Sequence, residues 1–294
     1  MAKFQNAGIQ PFGVNPAGVD AHASYVKKLR FNFPLLSDPD RAIARAYHAL
    51  KERMPPDFRG KVALITGVGR VGQIGHAVAR GFGRAGAQLV IADVNAAGLA
   101  DRAKEFTGEG FPVHAAAGDL TTPDAARRAV AVARERFGGL DVVVNVAGGL
   151  VSYGPVLDLK PERLELELAI NIKTTLYVSQ AAIPALRDRG GGAIVNFASA
   201  AVLKPQSQLA AYTAAKSAVA GLTRALAKEL RDDRIRVNGV APGTMKTADN
   251  LAQMQGAKVR WVELDELVAA VLYLASDDAR GVSGEILPVT GGDV

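Results

Sequence analysis

Tyr212 and Lys216 stand four positions apart in an alanine-rich stretch, QLAAYTAAKSAVAGLTRALAKEL, that covers residues 208–230. This composition predicts one long helix, and residues four apart on a helix share a face. An ammonium beside a phenol stabilises the phenolate and lowers the pKa of tyrosine from about 10 toward neutrality. Such a tyrosine can give or take a proton at physiological pH, so the spacing indicates general acid–base chemistry.

Two further polar residues are candidates for the same chemistry. Ser199 ends a predicted strand thirteen positions before Tyr212, and its hydroxyl could donate to a substrate oxygen as charge develops. A serine in this place is also typical of a turn or a helix cap. Asn171 falls in the middle of a predicted helix, AINIKTTLYVSQ, where asparagine is mildly unfavourable. The residues alone leave its role open.

A glycine-rich loop follows the first strong strand of the sequence. The segment TGVGRVGQIGHAVAR places Gly67, Gly69, Gly72 and Gly75 directly before a helix predicted to begin near His76. Glycine lets backbone N–H groups approach a pyrophosphate, and the helix N-terminus adds a positive dipole end. The loop therefore predicts a dinucleotide site, with a purely structural turn as the alternative.

Asp93 ends the next strand, LVIAD, one helix after the glycine loop. A carboxylate there can accept both adenosine ribose hydroxyls and repels a 2′-phosphate, so NAD is favoured over NADP. An ordinary turn aspartate is the other interpretation. Arg70 could contact a 2′-phosphate, but we expect it to face solvent or the pyrophosphate.

The elements that must position these residues alternate between strand and helix. Seven short apolar, β-branched runs indicate buried parallel strands, at residues 62–66, 89–93, 113–119, 141–146, 193–199, 235–241 and 285–289. Parallel strands need helical crossovers, which predicts a Rossmann-like, doubly wound α/β fold with helices on both faces of the sheet. One helix should begin after Thr122 as N-cap, with Pro123 in its first position, and end at Gly138. Ligands bind at the carboxyl ends of such strands.

Residues 1–59 do not follow this alternation. They hold two proline-rich turns, QPFGVNPAG and NFPLLSDPD, one helical run from Pro39 to Arg53 and a linker. We expect an N-terminal extension over residues 1–59 and a nucleotide-binding domain over residues 60–294. The apolar stretch from Tyr25 to Leu36 favours docking of the extension over disorder.

Composition excludes several classes of function. The chain has 294 residues and no cysteine, which removes disulfides, thiolate metal sites and thiol catalysis. The four histidines are scattered without ligand spacing, so no metal site is expected. The net charge is +6, yet residues 1–60 carry nine Lys/Arg against five Asp/Glu, and the rest is nearly neutral. Nucleic acid is therefore not an expected partner. Neither a membrane span nor a signal peptide is seen, which predicts a cytoplasmic protein.

Taken together, these motifs resemble the classical short-chain dehydrogenase/reductase family over about residues 60–294. The resemblance rests on the glycine loop from Thr66 to Gly75, Asp93, Asp119, NVAG at 145–148, Asn171, Ser199, YTAAK at 212–216, PGTMKT at 242–247 and VTGG at 289–292. It implies that Tyr212 is the general acid/base, that Lys216 lowers its pKa and holds the nicotinamide ribose, and that Ser199 orients the substrate oxygen. Asn171 would support a water-linked proton path.

The resemblance also implies the cofactor site. Asp119 would contact adenine, Asn145 to Gly148 would line the cleft, and Thr247 with the backbone near Met245 would bind the carboxamide. The full implied set is Gly67, Gly69, Gly72, Ile74, Gly75, Asp93, Asp119, Leu120, Asn145, Ala147, Gly148, Tyr212, Lys216, Pro242, Gly243, Met245 and Thr247. The family usually forms tetramers or dimers, so we expect a homo-oligomer.

The sequence departs from the family pattern in a few places. The glycine loop is two residues longer than the usual form, with Gln73 where that form has a glycine. The segment from Thr247 to Trp261, which should close over the substrate, is short. The N-terminal segment resembles an interior piece of a peroxiredoxin that lacks the part carrying the peroxidatic cysteine, so peroxidase chemistry is excluded.

The leading interpretation is an NAD(H)-dependent oxidoreductase that interconverts an alcohol and a carbonyl on a small-molecule substrate. The alternatives are an NADPH-dependent ketoreductase, a nucleotide-binding regulator without turnover, and an extension that recruits a partner. An enoyl reductase is disfavoured, because the enoyl reductases of this family resemble the pattern Y-x₆-K, whereas Tyr212 and Lys216 have the spacing Y-x₃-K. The sequence does not name the substrate.

Overall fold

The computed structural model describes residues 13–15, 35–37, 56–256 and 258–292. By its contacts the chain divides into two units, Met1–Pro55 and Pro56–Val294. In the first unit, β1 (Gly13–Asn15) and β2 (Leu35–Ser37) pair in parallel, with Gly13 opposite Leu35.

These two strands correct the prediction of turns in the same segments. The sequence shows why both are possible there: Pro16 follows β1 and Pro34 precedes β2, so the prolines flank the strands without interrupting them. A proline outside the ladder removes no hydrogen bond from it. The helix predicted from Pro39 to Arg53 lies outside the described residues.

The second unit is built on the predicted seven-stranded parallel sheet. Its strands are β3 (Val62–Thr66), β4 (Gln88–Asp93), β5 (Val113–Ala117), β6 (Val142–Asn145), β7 (Gly192–Phe197), β8 (Ile235–Pro242) and β9 (Ile286–Val289). The order across the sheet is β5-β4-β3-β6-β7-β8-β9, and every neighbouring pair is parallel. The fold class is therefore confirmed. From β3, successive strands are added toward one edge of the sheet as far as β5, and from β6 they are added toward the other edge, so the strand order reverses between β3 and β6.

Helices connect the strands, as parallel pairing requires. They are α1 (Ile74–Arg84), α2 (Ala96–Gly108), α3 (Pro123–Phe137), α4 (Pro161–Leu168), α5 (Thr174–Asp188), α6 (Ala210–Glu229), α7 (Ala248–Gln253) and α8 (Leu264–Ala275). A π-helical turn, Ala169–Lys173, joins α4 to α5. Short 3₁₀ turns occur at Val156–Asp158, Ala200–Val202 and Asp277–Ala279.

The ends of α3 are those that its sequence predicts. The Thr122 hydroxyl accepts a hydrogen bond from the Ala125 amide, and Pro123 occupies the first turn, where its missing N–H costs nothing. Gly138 ends the helix with φ of +75°, a left-handed conformation that glycine adopts without strain.

The core lies on both faces of the sheet. Alternate residues of β3 point to opposite faces, so Ala63 and Ile65 pack with α1, α2 and α8, whereas Val62 and Leu64 pack with α3, α5 and α6. Both layers consist of buried apolar side chains, and this packing holds the carboxyl ends of the strands at one edge.

Phe58 belongs to this core although it precedes the first strand of the sheet. It is 2% exposed, its ring packs edge-on against Phe82 with centroids 4.8 Å apart, and its amide donates to the Ala85 carbonyl. A start at Arg59 or Gly60 would remove this buried residue from the second unit.

We predict that a chain beginning at Pro56 retains NADH affinity and kcat within a few-fold of the full chain, because every predicted site residue follows residue 60. A chain beginning at Arg59 should lose about 3–5 kcal/mol with the Phe58 ring, and its Tm should fall by roughly 10 °C. Calorimetry and NADH titration measure both effects. A Pro56 chain that is folded by circular dichroism but does not bind NADH would show that the extension builds part of the site.

Candidate active site

Tyr212 and Lys216 lie on α6 beside the end of β7, where Ser199 follows the strand. The side chain of Ser199 lies near the Tyr212 hydroxyl and lowers the pKa of that hydroxyl. The Lys216 ammonium lies 5.8 Å from the centre of the Tyr212 ring and donates to the Phe197 carbonyl at 2.9 Å. Three of the four predicted catalytic residues therefore form one cluster.

The pKa of Tyr212 is raised above its ordinary value of 10, which is opposite to the expected lowering by Lys216. Burial is the main cause; the Ser199 side chain acts in the other direction, and the negative charge of Glu167 adds to the rise. Burial also lowers the pKa of Lys216 to about 8, against the opposing effect of Glu167. The lysine is itself almost fully desolvated and is bonded to a carbonyl, so desolvation outweighs its attraction for a phenolate.

Asn171 does not lie in a regular helix as predicted; it lies in the π-helical turn Ala169–Lys173. Its side chain is fully buried and bridges to the loop after β6: Nδ2 donates to the Gly149 carbonyl at 2.9 Å and Oδ1 accepts from the Gly149 amide at 3.1 Å. A Cβ on Gly148 would lie 2.6 Å from the Asn171 Oδ1. The π turn, a feature frequent at functional sites, thus brings Asn171 against this loop.

Glu167 is a buried carboxylate that the sequence analysis did not single out. It has no exposed surface and accepts hydrogen bonds from the amides of Val151 and Ser152 and from Asn171 Nδ2. In the sequence it stands among alternating residues of PERLELEL, which look solvated. The available signal was its spacing of four from Asn171, which places both residues on one helix face.

A cleft of about 430 Å³ opens at the carboxyl ends of the strands, at the point where the strand order reverses. Eight residues of the predicted cofactor set line it: Gly67, Ile74, Gly75, Asp93, Asp119, Leu120, Ala147 and Gly148. It is also lined by Arg70, Gln73, Val94, Asn95, Gly118, Thr121, Val146, Ile170 and Thr174. The position agrees with the rule that ligands bind beyond the strand ends at the switch point.

The remaining residues of the predicted cofactor set are not part of the wall of this cleft. They are Gly69, Gly72, Asn145, Tyr212, Lys216, Pro242, Gly243, Met245 and Thr247. Asn145 is buried, and its Nδ2 donates to Ser179 Oγ and Asn196 Oδ1, so its side chain ties β6 to α5 and β7. The Thr247 hydroxyl caps α7 by accepting from the Asn250 amide.

Asp93 holds the glycine loop as well as lining the cleft. Its Oδ2 accepts from the Gly69 amide at 2.8 Å and its Oδ1 from the Asn95 amide at 2.8 Å. Each carboxylate oxygen has two acceptor positions, so one remains on each oxygen for a ribose hydroxyl.

The N-terminus of α1 suits a phosphate group. Its N-cap, Gln73, makes no side-chain hydrogen bond to the first-turn amides, and such amides bind anions. The cleft, the glycines and Asp93 therefore fit a dinucleotide.

His76 holds the glycine loop through a hydrogen bond, a role that the sequence analysis did not predict. Its Nδ1 accepts from the Gly72 amide at 3.2 Å, and its Nε2 lies 3.0 Å from Glu105 Oε1. Burial lowers the pKa of His76, with Glu105 opposing, which favours the neutral ring, and acceptance by Nδ1 places the proton of that ring on Nε2. The neutral ring can accept from the loop, which a protonated ring could not do.

Arg70 is largely exposed to solvent, as expected, and lines the cleft, but it is also paired with a carboxylate. Its guanidinium lies 2.6 Å from the Asp249 carboxylate, and the Ala248 amide donates to the Gly72 carbonyl at 3.2 Å. Helix α7, which lies in the short segment expected to cover the substrate, is therefore joined to the glycine loop.

Gly75 lies in the cleft where a larger side chain would clash with the backbone. An added Cβ would lie 2.0 Å from the Gly67 carbonyl oxygen, which is backbone and cannot rotate away. Gly75→Ala should cost about 1–3 kcal/mol, lower Tm by roughly 5–10 °C and weaken NADH binding at least tenfold. Gly108→Ala is the matched control, because a Cβ there meets nothing within 4 Å. Equal NADH affinity in the two variants would contradict the assignment of this loop.

Comparison with known proteins agrees with this geometry. A family model described as short chain dehydrogenase matches residues 61–258. The chain belongs to the short-chain dehydrogenase/reductase family. It is accordingly a nicotinamide-dependent oxidoreductase acting on CH–OH donors.

Its relatives in the family act on chemically diverse substrates. A D-threitol dehydrogenase from Mycolicibacterium smegmatis is 34% identical over 253 residues, which cover 80% of this chain and 94% of that protein. A 7α-hydroxysteroid dehydrogenase, solved with NADH and 7-oxo glycochenodeoxycholic acid, matches with a TM-score of 0.75 and 30% identity over 81% of this chain and 96% of that one. L-sorbose reductase from Gluconobacter frateurii, solved with NADPH and L-sorbose, matches with a TM-score of 0.75 and 29% identity over 81% of this chain and 98% of that one.

A second family model, AhpC/TSA, matches residues 1–69 of this short-chain dehydrogenase/reductase. The peroxiredoxin resemblance of the extension stays a prediction. In the part of the chain that the structure describes, no helix is long and apolar enough to cross a membrane. The same residues contain no cluster of three or more side chains that could hold a metal ion.

Proposed function

We propose that this chain interconverts an alcohol and the corresponding carbonyl compound with NAD(H), and that Tyr212 is the proton-transfer residue. The observation that carries the proposal is the cluster formed by the neighbouring Ser199 and Tyr212 side chains and the buried ammonium of Lys216. These groups can transfer a proton to or from an alcohol oxygen.

When bound, the nicotinamide ring supplies hydride transfer to or from the substrate carbon. In the direction of oxidation, Tyr212 accepts the proton of the substrate hydroxyl, and in reduction it donates one to the carbonyl oxygen. Ser199 holds that oxygen by a hydrogen bond that strengthens as negative charge develops. The Lys216 ammonium lies 5.8 Å from the centre of the Tyr212 ring, where a positive charge opposes the rise in the tyrosine pKa that burial causes.

Asn171 connects the catalytic cluster with the cofactor cleft. It packs on Gly148, which lines the cleft, and it is bonded to Glu167, whose charge acts on Tyr212 and Lys216. On this basis we propose Asn171 as the fourth member of the site, although its amide is engaged with protein groups in the structure.

The preference for NAD rests on Asp93. Its carboxylate lines the cleft at the end of β4, where it would accept the ribose hydroxyls and repel a 2′-phosphate. The L-sorbose reductase relative was solved with NADPH, so an NADPH-dependent ketoreductase remains the second candidate. A nucleotide-binding regulator without turnover is the third.

A spectrophotometric screen tests the proposal. Purified protein is assayed with NADH and NADPH against sugars, polyols, steroids, acyl ketones and small alcohols, with Tyr212→Phe as the control for background oxidation. Turnover by the wild type with NADH, absent in the control, is the expected result. Faster turnover with NADPH would favour the ketoreductase, and tight NADH binding with no turnover on any class would favour the regulator. Light scattering tests the expected homodimer or homotetramer.

A further inference from the structure

Glu167 places a carboxylate side chain in the protein interior, with no exposed surface. The residue is completely buried near the end of α4, one residue before the π-helical turn that carries Asn171. Burying a carboxylate costs several kcal/mol unless donors surround it, and a well-packed apolar residue often serves stability as well or better. A charge retained here therefore calls for an explanation other than core packing.

The contacts of this carboxylate are all hydrogen-bond donors. Oε2 accepts from the Val151 amide at 2.9 Å and from the Ser152 amide at 2.8 Å, and Oε1 accepts from Asn171 Nδ2 at 3.2 Å. Asn171 in turn holds Gly149 through two hydrogen bonds. The loop 149–152, which continues from the cofactor cleft, is thus fastened at both ends to a single glutamate–asparagine pair.

The charge also acts on the catalytic pair. Helix α6 packs on α4, on the π-helical turn, on β7 and β8 and on the 3₁₀ turn after Ser199. Among the described residues on these elements, the groups that bear on Tyr212 and Lys216 are Ser199, which is uncharged, and Glu167. Glu167 raises the pKa of both, and for Lys216 it counteracts the lowering caused by burial.

We infer that Glu167 is a positioning residue of this enzyme, which fastens the loop 149–152 and Asn171 beside the reacting atoms and supplies the buried counter-charge for Lys216. The inference rests on the proposed function, because it assigns Glu167 a part in the same proton transfer. The residue acts through Asn171, the loop and Lys216; it does not itself touch the substrate.

Two substitutions separate the two roles. Glu167→Gln removes the charge and leaves one acceptor oxygen, so either the loop amides or Asn171 must face the donating NH₂ of the new side chain. Removing an anion from two coupled groups lowers both apparent pKa values, so the pH profile of kcat/KM should move to lower pH. The substrate KM should rise about tenfold, since small misplacements of a site cost 10- to 100-fold. Glu167→Asp keeps the charge but shortens its reach, so KM should rise while the pH profile stays in place.

Glu165→Gln is the matched control, because Glu165 lies on the same helix with its side chain exposed. It should change neither KM nor the pH profile. NADH affinity should stay within twofold in all three variants, because Glu167 does not line the cofactor cleft. A pH profile of Glu167→Gln that coincides with that of Glu165→Gln would overturn the electrostatic role.

Amide hydrogen exchange tests the loop without any turnover. In Glu167→Gln and Glu167→Asp, the amides of Val151 and Ser152 should exchange at least tenfold faster than in the wild type or in Glu165→Gln. Unchanged exchange would overturn the fastening role, whatever the activity. If Glu167→Gln does not fold, Glu167→Asp decides the question by the same exchange measurement. A wild type without turnover would refute the proposed function. The exchange measurement would still test the fastening role, because it does not depend on turnover.

Discussion

Tyr212→Phe should lower kcat by roughly 10²–10⁴-fold, the usual contribution of a general acid or base. Phenylalanine keeps the ring that packs beside Lys216 and removes only the hydroxyl near Ser199. NADH should bind as in the wild type, because the ring does not line the cofactor cleft. Single-turnover absorbance measurements and NADH fluorescence titration give the two quantities.

Tyr177→Phe is the control for this prediction. Tyr177 packs against the apolar core on α5 and lies outside the catalytic cluster. Loss of the Tyr177 hydroxyl should leave kcat within about twofold of the wild-type value. Near-wild-type rates in Tyr212→Phe, or an equal loss in both variants, would remove Tyr212 from the mechanism.

Asp93→Ser should reverse or reduce the preference for NADH over NADPH. Serine cannot provide the bidentate carboxylate, and hydrogen bonds to charged groups contribute about 1.5–3 kcal/mol each, so NADH should bind 10- to 100-fold more weakly. Relief of repulsion should improve NADPH in the same variant. We expect the ratio of kcat/KM values for the two cofactors to move by about 10²-fold toward NADPH.

The structure adds a second consequence to this substitution. Asp93 also holds the amides of Gly69 and Asn95, so the variant should lose some Tm together with NADH affinity. Asp101→Ser, at an exposed position of α2, should change neither quantity. A wild type that already prefers NADPH would show that the interpretation of Asp93 is wrong.

Local patterns were sufficient for most of the fold. The β-branched runs predicted all seven strands of the large sheet within two residues at each end, because strands buried on both faces are apolar throughout. Thr122, Pro123 and Gly138 marked the ends of α3 because caps depend on the backbone of only a few neighbouring residues. The spacing of Tyr212 and Lys216 placed them on one helix face for the same local reason.

Predictions that depended on burial were less successful. Lys216 was expected to lower the tyrosine pKa, yet desolvation of both groups prevails, and desolvation is set by everything packed around a group. Asn145 ends β6 as expected, but its amide donates to side chains of α5 and β7. The strands β1 and β2 were predicted as turns.

By itself, then, the sequence determined the order of elements, the position of the glycine loop before α1 and the shared helix face of Tyr212 and Lys216, since these follow from periodicity and from residues close in the chain. Only the tertiary structure decided that Glu167, in a pattern that looks solvated, is fully buried against Asn171 and the loop after β6. It likewise decided that Phe58 is core and that His76 holds Gly72. Each of these contacts joins residues through packing, and which side chains lose their water is a property of the assembled layers.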